Sequence, residues 1–254
     1  MSTWLRAQWA EMLKLKGTFG LWLVLLMPLA VAILITLTSG HSAPQTKTPS
    51  AVISAKVWLA LGDHMFFLWT LLMAPLFVTL QTAWLAGLED NNQQWKYLLA
   101  LPLPRSTHYV VKLTTMIAML LCAYLLLLAL IIPAGWILMI VAPKAGFVGL
   151  PPLGMLFVPA ACSLAASLLL VALQTWIALR WHSFSVTISV GFVATIAGFL
   201  LARSRYGKFF PWSMPAQPFM GHGKDMVIAV SLGVIGGLVV GGLGLYDFLR
   251  RDSV

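Results

Sequence analysis

Six stretches of this chain, 17–46, 64–88, 113–143, 145–179, 181–202 and 226–246, contain no Asp, Glu, Lys or Arg. Each can hold a helix of about 20 residues, the length that crosses roughly 30 Å of hydrocarbon. This excludes a water-soluble fold. Charged side chains normally cover a soluble surface, and 16 Lys and Arg with 7 Asp and Glu cannot cover 254 residues of which 60% are hydrophobic. The apolar runs are continuous, without the ten-residue alternation of a membrane barrel, so the spanning unit is the helix, which satisfies its own backbone in lipid. The sequence predicts an all-α integral membrane protein, one domain over 1–254. Its six transmembrane helices lie near 20–38, 64–86, 113–141, 155–179, 183–202 and 226–246, with both termini on one side.

Pro28, Pro75, Pro133 and Pro159 fall inside these runs. Each removes a backbone hydrogen bond, so each marks a kink or a gating hinge. Cys122 and Cys162 lie in apolar surroundings, where small packing residues are the ordinary reading. In the first sixteen residues, Arg6, Lys14 and Lys16 are interleaved with Trp4, Leu5, Trp9, Met12, Leu13 and Leu15. The apolar positions recur at helical spacing while Gln8, Glu11 and Lys14 share the other face, the pattern of an amphipathic helix over 1–17 lying in the headgroup plane, not of a signal peptide.

A formal net charge of +9 fits anionic lipid headgroups better than nucleic acid, because the basic residues are scattered between apolar runs. With the N-terminus inside, nine Lys and Arg lie inside against seven outside, a weak positive-inside bias. The main exception is the basic, aromatic and proline-rich segment 203–225, whose Tyr206, Phe209, Phe210 and Trp212 suit the membrane interface. Gly40–Ser54, rich in Ser, Thr and Pro, reads as an irregular loop.

No H-E-x-x-H, no G-x-S-x-G and no cluster at metal-ligand spacing occurs. The fragment Gly221-His222-Gly223-Lys224 lacks the upstream glycine and following Ser or Thr of a phosphate loop. The chain is therefore expected to be neither an enzyme nor an ATP binder, with no cofactor or metal of its own. Asp63 and His64 stand at the outer edge of the second predicted span, as a hydrated interfacial pair or as a proton or substrate site. The second choice would make the chain a stand-alone, proton-coupled six-span transporter. In the last span Gly233, Gly237 and Gly241 are spaced by four, a face that admits another helix closely, in the same chain or in a second copy.

Between the second and third runs, Glu89, Asp90, Asn91 and Asn92 supply helix-start chemistry, Trp95, Leu98 and Leu99 an apolar i, i+3, i+4 face, and Pro102 and Pro104 a stop. The pattern predicts a short amphipathic surface helix over 89–101. Here the sequence resembles the membrane subunits of type-2 ABC exporters, particularly the group with lantibiotic and bacitracin immunity permeases. The matching positions are Glu89, Asn91, Asn92, Trp95, Lys96, Leu99, Ala100, Leu101, Pro102 and Arg105, with Lys112 opening the next helix; Glu11 to Thr18, followed by a span with Pro28, is similar to the same family's start.

The resemblance implies a bacterial cytoplasmic (inner) membrane location, cytoplasmic termini, and a coupling helix at 89–101 carrying Glu89, Asp90, Asn91, Asn92, Trp95 and Lys96, with Arg105 behind it. It also implies two permease subunits, identical or related, driven by two separate ATP-binding cassette ATPases that hold ATP and magnesium. A re-entrant pair of half-helices before the last span would fall at Pro211, Pro215 and Pro218. Cargo in this group includes antimicrobial peptides, lipids, glycans and drugs, and small outer loops suit an amphipathic molecule taken from the bilayer.

Overall fold

The second apolar run is the hub of the molecule. A computed structural model of the chain describes residues 8, 19–42, 51–91, 105–181, 183–220 and 223–250. Among these, six helical stretches are long and apolar enough to cross a membrane: Gly20–Gly40, Ser54–Leu85, Ser106–Val141, Leu153–Trp181, Phe184–Leu201 and Gly223–Arg250. The described residues hold no strand, so the chain is an all-α integral membrane protein. Its helices are α1 (Phe19–Ser42), α2 (Ala51–Leu68), α3 (Ala74–Asn91), α4 (Arg105–Val141), α5 (Leu153–Ala166), α6 (Leu168–Trp181), α7 (Phe184–Leu201) and α8 (Gly223–Arg250).

The second span consists of α2, a π-helical turn at Trp69–Met73, and α3. Its most apolar window is 67% buried inside the protein, against 22% for the fifth and sixth spans, so these last two face mainly outwards. Trp58, Phe66, Trp69 and Phe77 of the second span form the core with Tyr124 and Leu127 of α4 and Leu170 of α6. Around this hub α1 packs on α4, α7 and α6 on α3, and α8 on α6 and α5.

The π turn directly precedes Ala74-Pro75. Proline has no N–H to return to the preceding turn, and a wider turn is one way a helix accommodates the deficit. Pro28, Pro133 and Pro159 sit within unbroken helical segments. In the fourth span a one-residue turn at Ser167 separates α5 from α6; there the Ser167 N–H is shared by the Ser163 and Leu164 carbonyls and the Ser167 hydroxyl donates to the Ser163 carbonyl at 2.8 Å. The span expected over 155–179 is one candidate crossing, Leu153–Trp181, with this turn inside it. A serine that bonds back to its own backbone tightens the turn locally, which hydropathy does not register.

Several expectations change. Helix reaches Ser42 and resumes at Ala51, so both ends of the predicted loop Gly40–Ser54 are helical, residues 43–50 lie outside those described, and the second span begins well before residue 64. Charge had set that boundary, yet Lys56 and Asp63 stand exposed on α2 while Trp58, Leu61 and Met65 on its other side are buried. A helix carries charges on one face without ending there, because such side chains can reach towards headgroups. Glu89, Asp90 and Asn91 close α3 instead of opening a new helix, and Arg105 is the first residue of α4, which leaves Lys112 buried two turns further in.

Among the described residues, 203–220 hold two short 3-10 turns, Gly207–Phe209 and Met214–Phe219, not a pair of half-helices. Tyr206 and Phe209 are exposed, but Trp212 is buried, as are Met214, Pro215, Ala216 and Gln217. Proline brings no N–H that must be satisfied, which lowers the cost of burying irregular backbone. The carbonyls still need donors: Ser163 donates to the Pro215 carbonyl at 2.5 Å, and Gln217 donates to the Ala202 carbonyl at 3.3 Å.

Candidate functional site

Two polar assemblies sit within the bundle, and a third closes one of its ends. At the Ser167 turn, the Tyr124 hydroxyl lies 2.9 Å from Ser163 Oγ and 3.4 Å from Ser167 Oγ. Ser163 also holds the Pro215 carbonyl, so one hydroxyl ties α4, the fourth span and the inserted 3-10 turn together. The aromatic rings above and below continue this joint: Trp69 stands edge-on to Tyr124 at 6.0 Å, and Phe219 stacks on Phe66 at 5.1 Å. Buried hydroxyls in so apolar a place need partners, and here the partners are one another.

The second assembly joins α3, α6 and α7. Gln174 donates to the Thr187 carbonyl at 2.9 Å, and Thr79 donates to the Pro75 carbonyl at 2.9 Å. Gly191 of α7 faces both: a Cβ there would stand 2.7 Å from Gln174 Nε2 and collide with Thr79. Only a residue without a side chain lets α7 approach this seam.

The third assembly lies at the end of the bundle that carries the last turns of α8. Arg180 pairs with Asp247 at 2.8 Å, and Trp176 Nε1 donates to the same carboxylate at 3.0 Å. Gln8 is docked against α4, its Nε2 donating to Thr115 Oγ1 at 3.0 Å and its Oε1 accepting from Thr114 Oγ1 at 2.9 Å. Gln8 therefore faces the bundle, although periodicity placed it with Glu11 and Lys14 on the polar face of an interfacial helix. The other residues of the predicted 1–17 helix lie outside those described.

The predicted coupling segment is described only at its two stems, the end of α3 through Glu89, Asp90 and Asn91, and the start of α4 at Arg105. Asn92, Trp95 and Lys96 lie outside the described residues. Asp63 and His64 are adjacent and both exposed on α2. His64 lines an open groove of about 360 Å³ with Ile35, Thr38, Ser39, Phe67 and Leu68.

Gly233 and Gly237 face the Ser167 turn in the fourth span. A Cβ on Gly233 would stand 2.5 Å from Ala166 Cα, and one on Gly237 would stand 3.0 Å from the Leu168 carbonyl carbon. Gly241 looks towards Leu113 at 3.4 Å, so the four-residue glycine spacing serves contact within this chain.

The reading from sequence missed Tyr124, Ser163, Gln174 and the Arg180–Asp247 pair. Ser163 and Ser167, four apart in an apolar run, were the available signal for the first assembly. Nothing local links Arg180 to Asp247.

Helical spans knitted by serine, threonine and glycine contacts define the class: a multi-pass membrane bundle whose business is in the bilayer. Residues 8–198, which is 191 of the 254 residues, match the family model described as ABC-2 family transporter protein. The chain belongs to that family and is a transport membrane subunit, an ABC-2 type permease. No curated protein matches it.

Proposed function

We propose that this chain is the permease of an ATP-binding cassette exporter, of the group with lantibiotic and bacitracin immunity permeases, acting in antibiotic resistance. Two permease subunits, identical or homologous, would form the pathway in a bacterial inner membrane with their termini in the cytoplasm. Two separate ATPases would bind ATP and magnesium, and the cargo would be an amphipathic peptide or lipid-like molecule. The family match over residues 8–198 carries this reading, because it includes the whole 89–105 segment. Helix length supports it too. The 37 residues of α4 extend about 55 Å at 1.5 Å per residue, well beyond roughly 30 Å of hydrocarbon, so the helix has length to spare for a stem outside the bilayer.

The test compares Glu89→Lys with Lys47→Glu in the complex as purified from cells. Truncating one partner of a buried interfacial charge pair costs about 2–5 kcal/mol, whereas a rim charge mainly alters the association rate. Glu89→Lys is expected to express normally and lose cargo-stimulated hydrolysis, and Lys47→Glu to keep it. The chain purified by itself is expected to bind no ATP. Unchanged stimulated hydrolysis and transport in Glu89→Lys would remove the coupling role from this segment, and purification of an active transporter free of any ATPase would overturn the exporter reading.

A further inference from the structure

We propose that the turn between α7 and α8 is a binding surface for the phosphate headgroups of anionic phospholipids. The turn joins the end of the fifth span to the start of the sixth. Val227 in the first turns of α8 is exposed, and α8 lies outside the segments 20–38 and 183–202 expected to meet a second copy, so this apolar side chain belongs to the hydrocarbon. Arg203 and Arg205 come two and four residues after the last residue of α7, and Lys224 is the second residue of α8. All three are exposed. Lys208 completes the group from the turn itself, reaching Asp225 at 2.8 Å and thereby pinning the turn to the start of α8.

Four cations thus stand close in sequence at one membrane boundary, where Asp225 is the one carboxylate of the segment 203–225 and pairs with Lys208. The surface is displayed on a rigid base. Ser213 donates to the Gly207 carbonyl at 2.6 Å, the Tyr206 N–H bonds Ser204 Oγ at 3.2 Å, and Trp212 is buried beneath. Two exposed rings flank the charges: the Arg205 guanidinium lies 4.9 Å from the Tyr206 ring centroid and donates to its hydroxyl at 2.8 Å, and Lys208 Nζ lies 5.6 Å from the Phe209 centroid.

Aromatic rings seat at headgroup depth, and a guanidinium held beside one presents its remaining donors at the level of lipid phosphates. Under the topology proposed above, these cations would lie on the side where Lys and Arg are ordinarily sparse, which gives their concentration a use. The headgroup contact itself depends neither on that topology nor on an ATPase.

The full-length protein is reconstituted in nanodiscs containing equal parts of phosphatidylglycerol and phosphatidylcholine, and the lipids retained on release are identified by native mass spectrometry. Wild type is expected to retain phosphatidylglycerol preferentially, less so at high salt. Each basic residue near an anionic surface is worth on the order of fivefold in binding. Arg203→Gln/Arg205→Gln/Lys224→Gln should therefore reduce the preference by roughly tenfold or more at low salt, once partial screening is allowed for. Lys56→Gln/Lys144→Gln, which removes two cations outside the patch, should retain the preference, as should the charge-conserving Arg203→Lys/Arg205→Lys.

Wild type without a preference for phosphatidylglycerol overturns the proposal before any variant is made. Equal loss in the Lys56/Lys144 control reduces the effect to overall charge and also overturns it. An unchanged preference in the triple variant does the same.

Discussion

The approach of α8 to the backbone of α5 at Gly233 lends itself to a paired test, Gly233→Ala against Gly242→Ala. A Cβ at Gly233 would meet Ala166 Cα at 2.5 Å, the Ala166 carbonyl oxygen at 2.7 Å and the Ala165 carbonyl oxygen at 2.8 Å, all of them backbone atoms. Carbon atoms prefer about 3.5–4.0 Å, so α8 and α5 must separate by about 1 Å, and no side chain can rotate to absorb it. Overpacking of this kind typically costs about 1–3 kcal/mol. At Gly242 nothing lies within 4 Å of the added carbon. Both variants share the gain of about 1 kcal/mol for replacing glycine within a helix, so it cancels between them and the overpacking cost remains. For a chain of this size 1 kcal/mol corresponds to about 2–4 °C, which places Gly233→Ala on the order of 5 °C below Gly242→Ala. The assay is tryptophan fluorescence on heating in one detergent at one scan rate, since unfolding of such proteins is often irreversible and only ranks are comparable. Equal midpoints would refute the claim that this face is committed within the chain.

Ser163→Ala removes the donor to a buried carbonyl and a partner of the Tyr124 hydroxyl, at about 1–3 kcal/mol; the same heating assay should place it below Tyr124→Phe, which leaves the Ser163–Pro215 bond in place. Between copies of the chain, cysteine cross-links are expected to form through residues 20–38 and 183–202 and not through 233–241; a dominant cross-link at Gly237 would contradict both this expectation and the packing of α8.

The number of spans and the all-α class were legible in the sequence because they depend on a local quantity. A charge in hydrocarbon is costly wherever it sits along a helix, so uncharged runs of bilayer length report crossings without reference to any neighbour. The same criterion failed at the start of the second span, since Lys56 and Asp63 occupy one exposed face of a helix whose other face holds Trp58 and Met65. Helical periodicity found the glycine face, but the partner at Ala165–Leu169 is more than sixty residues away in sequence and follows from packing alone. The aromatic residues of the proline-rich 203–225 segment read as interfacial, yet Trp212 is buried, and Ser163 and Gln217 supply donors that let part of the segment enter the core. Gln8 was assigned by periodicity to the polar face of an interfacial helix and turned inwards because Thr114 and Thr115 offer it both a donor and an acceptor. The sequence by itself determined which segments must leave water, a matter of composition over about 20 residues. Tertiary structure decided which faces meet and which polar groups satisfy one another, because hydrogen bonds and close backbone approach depend on atoms that only the folded chain brings together.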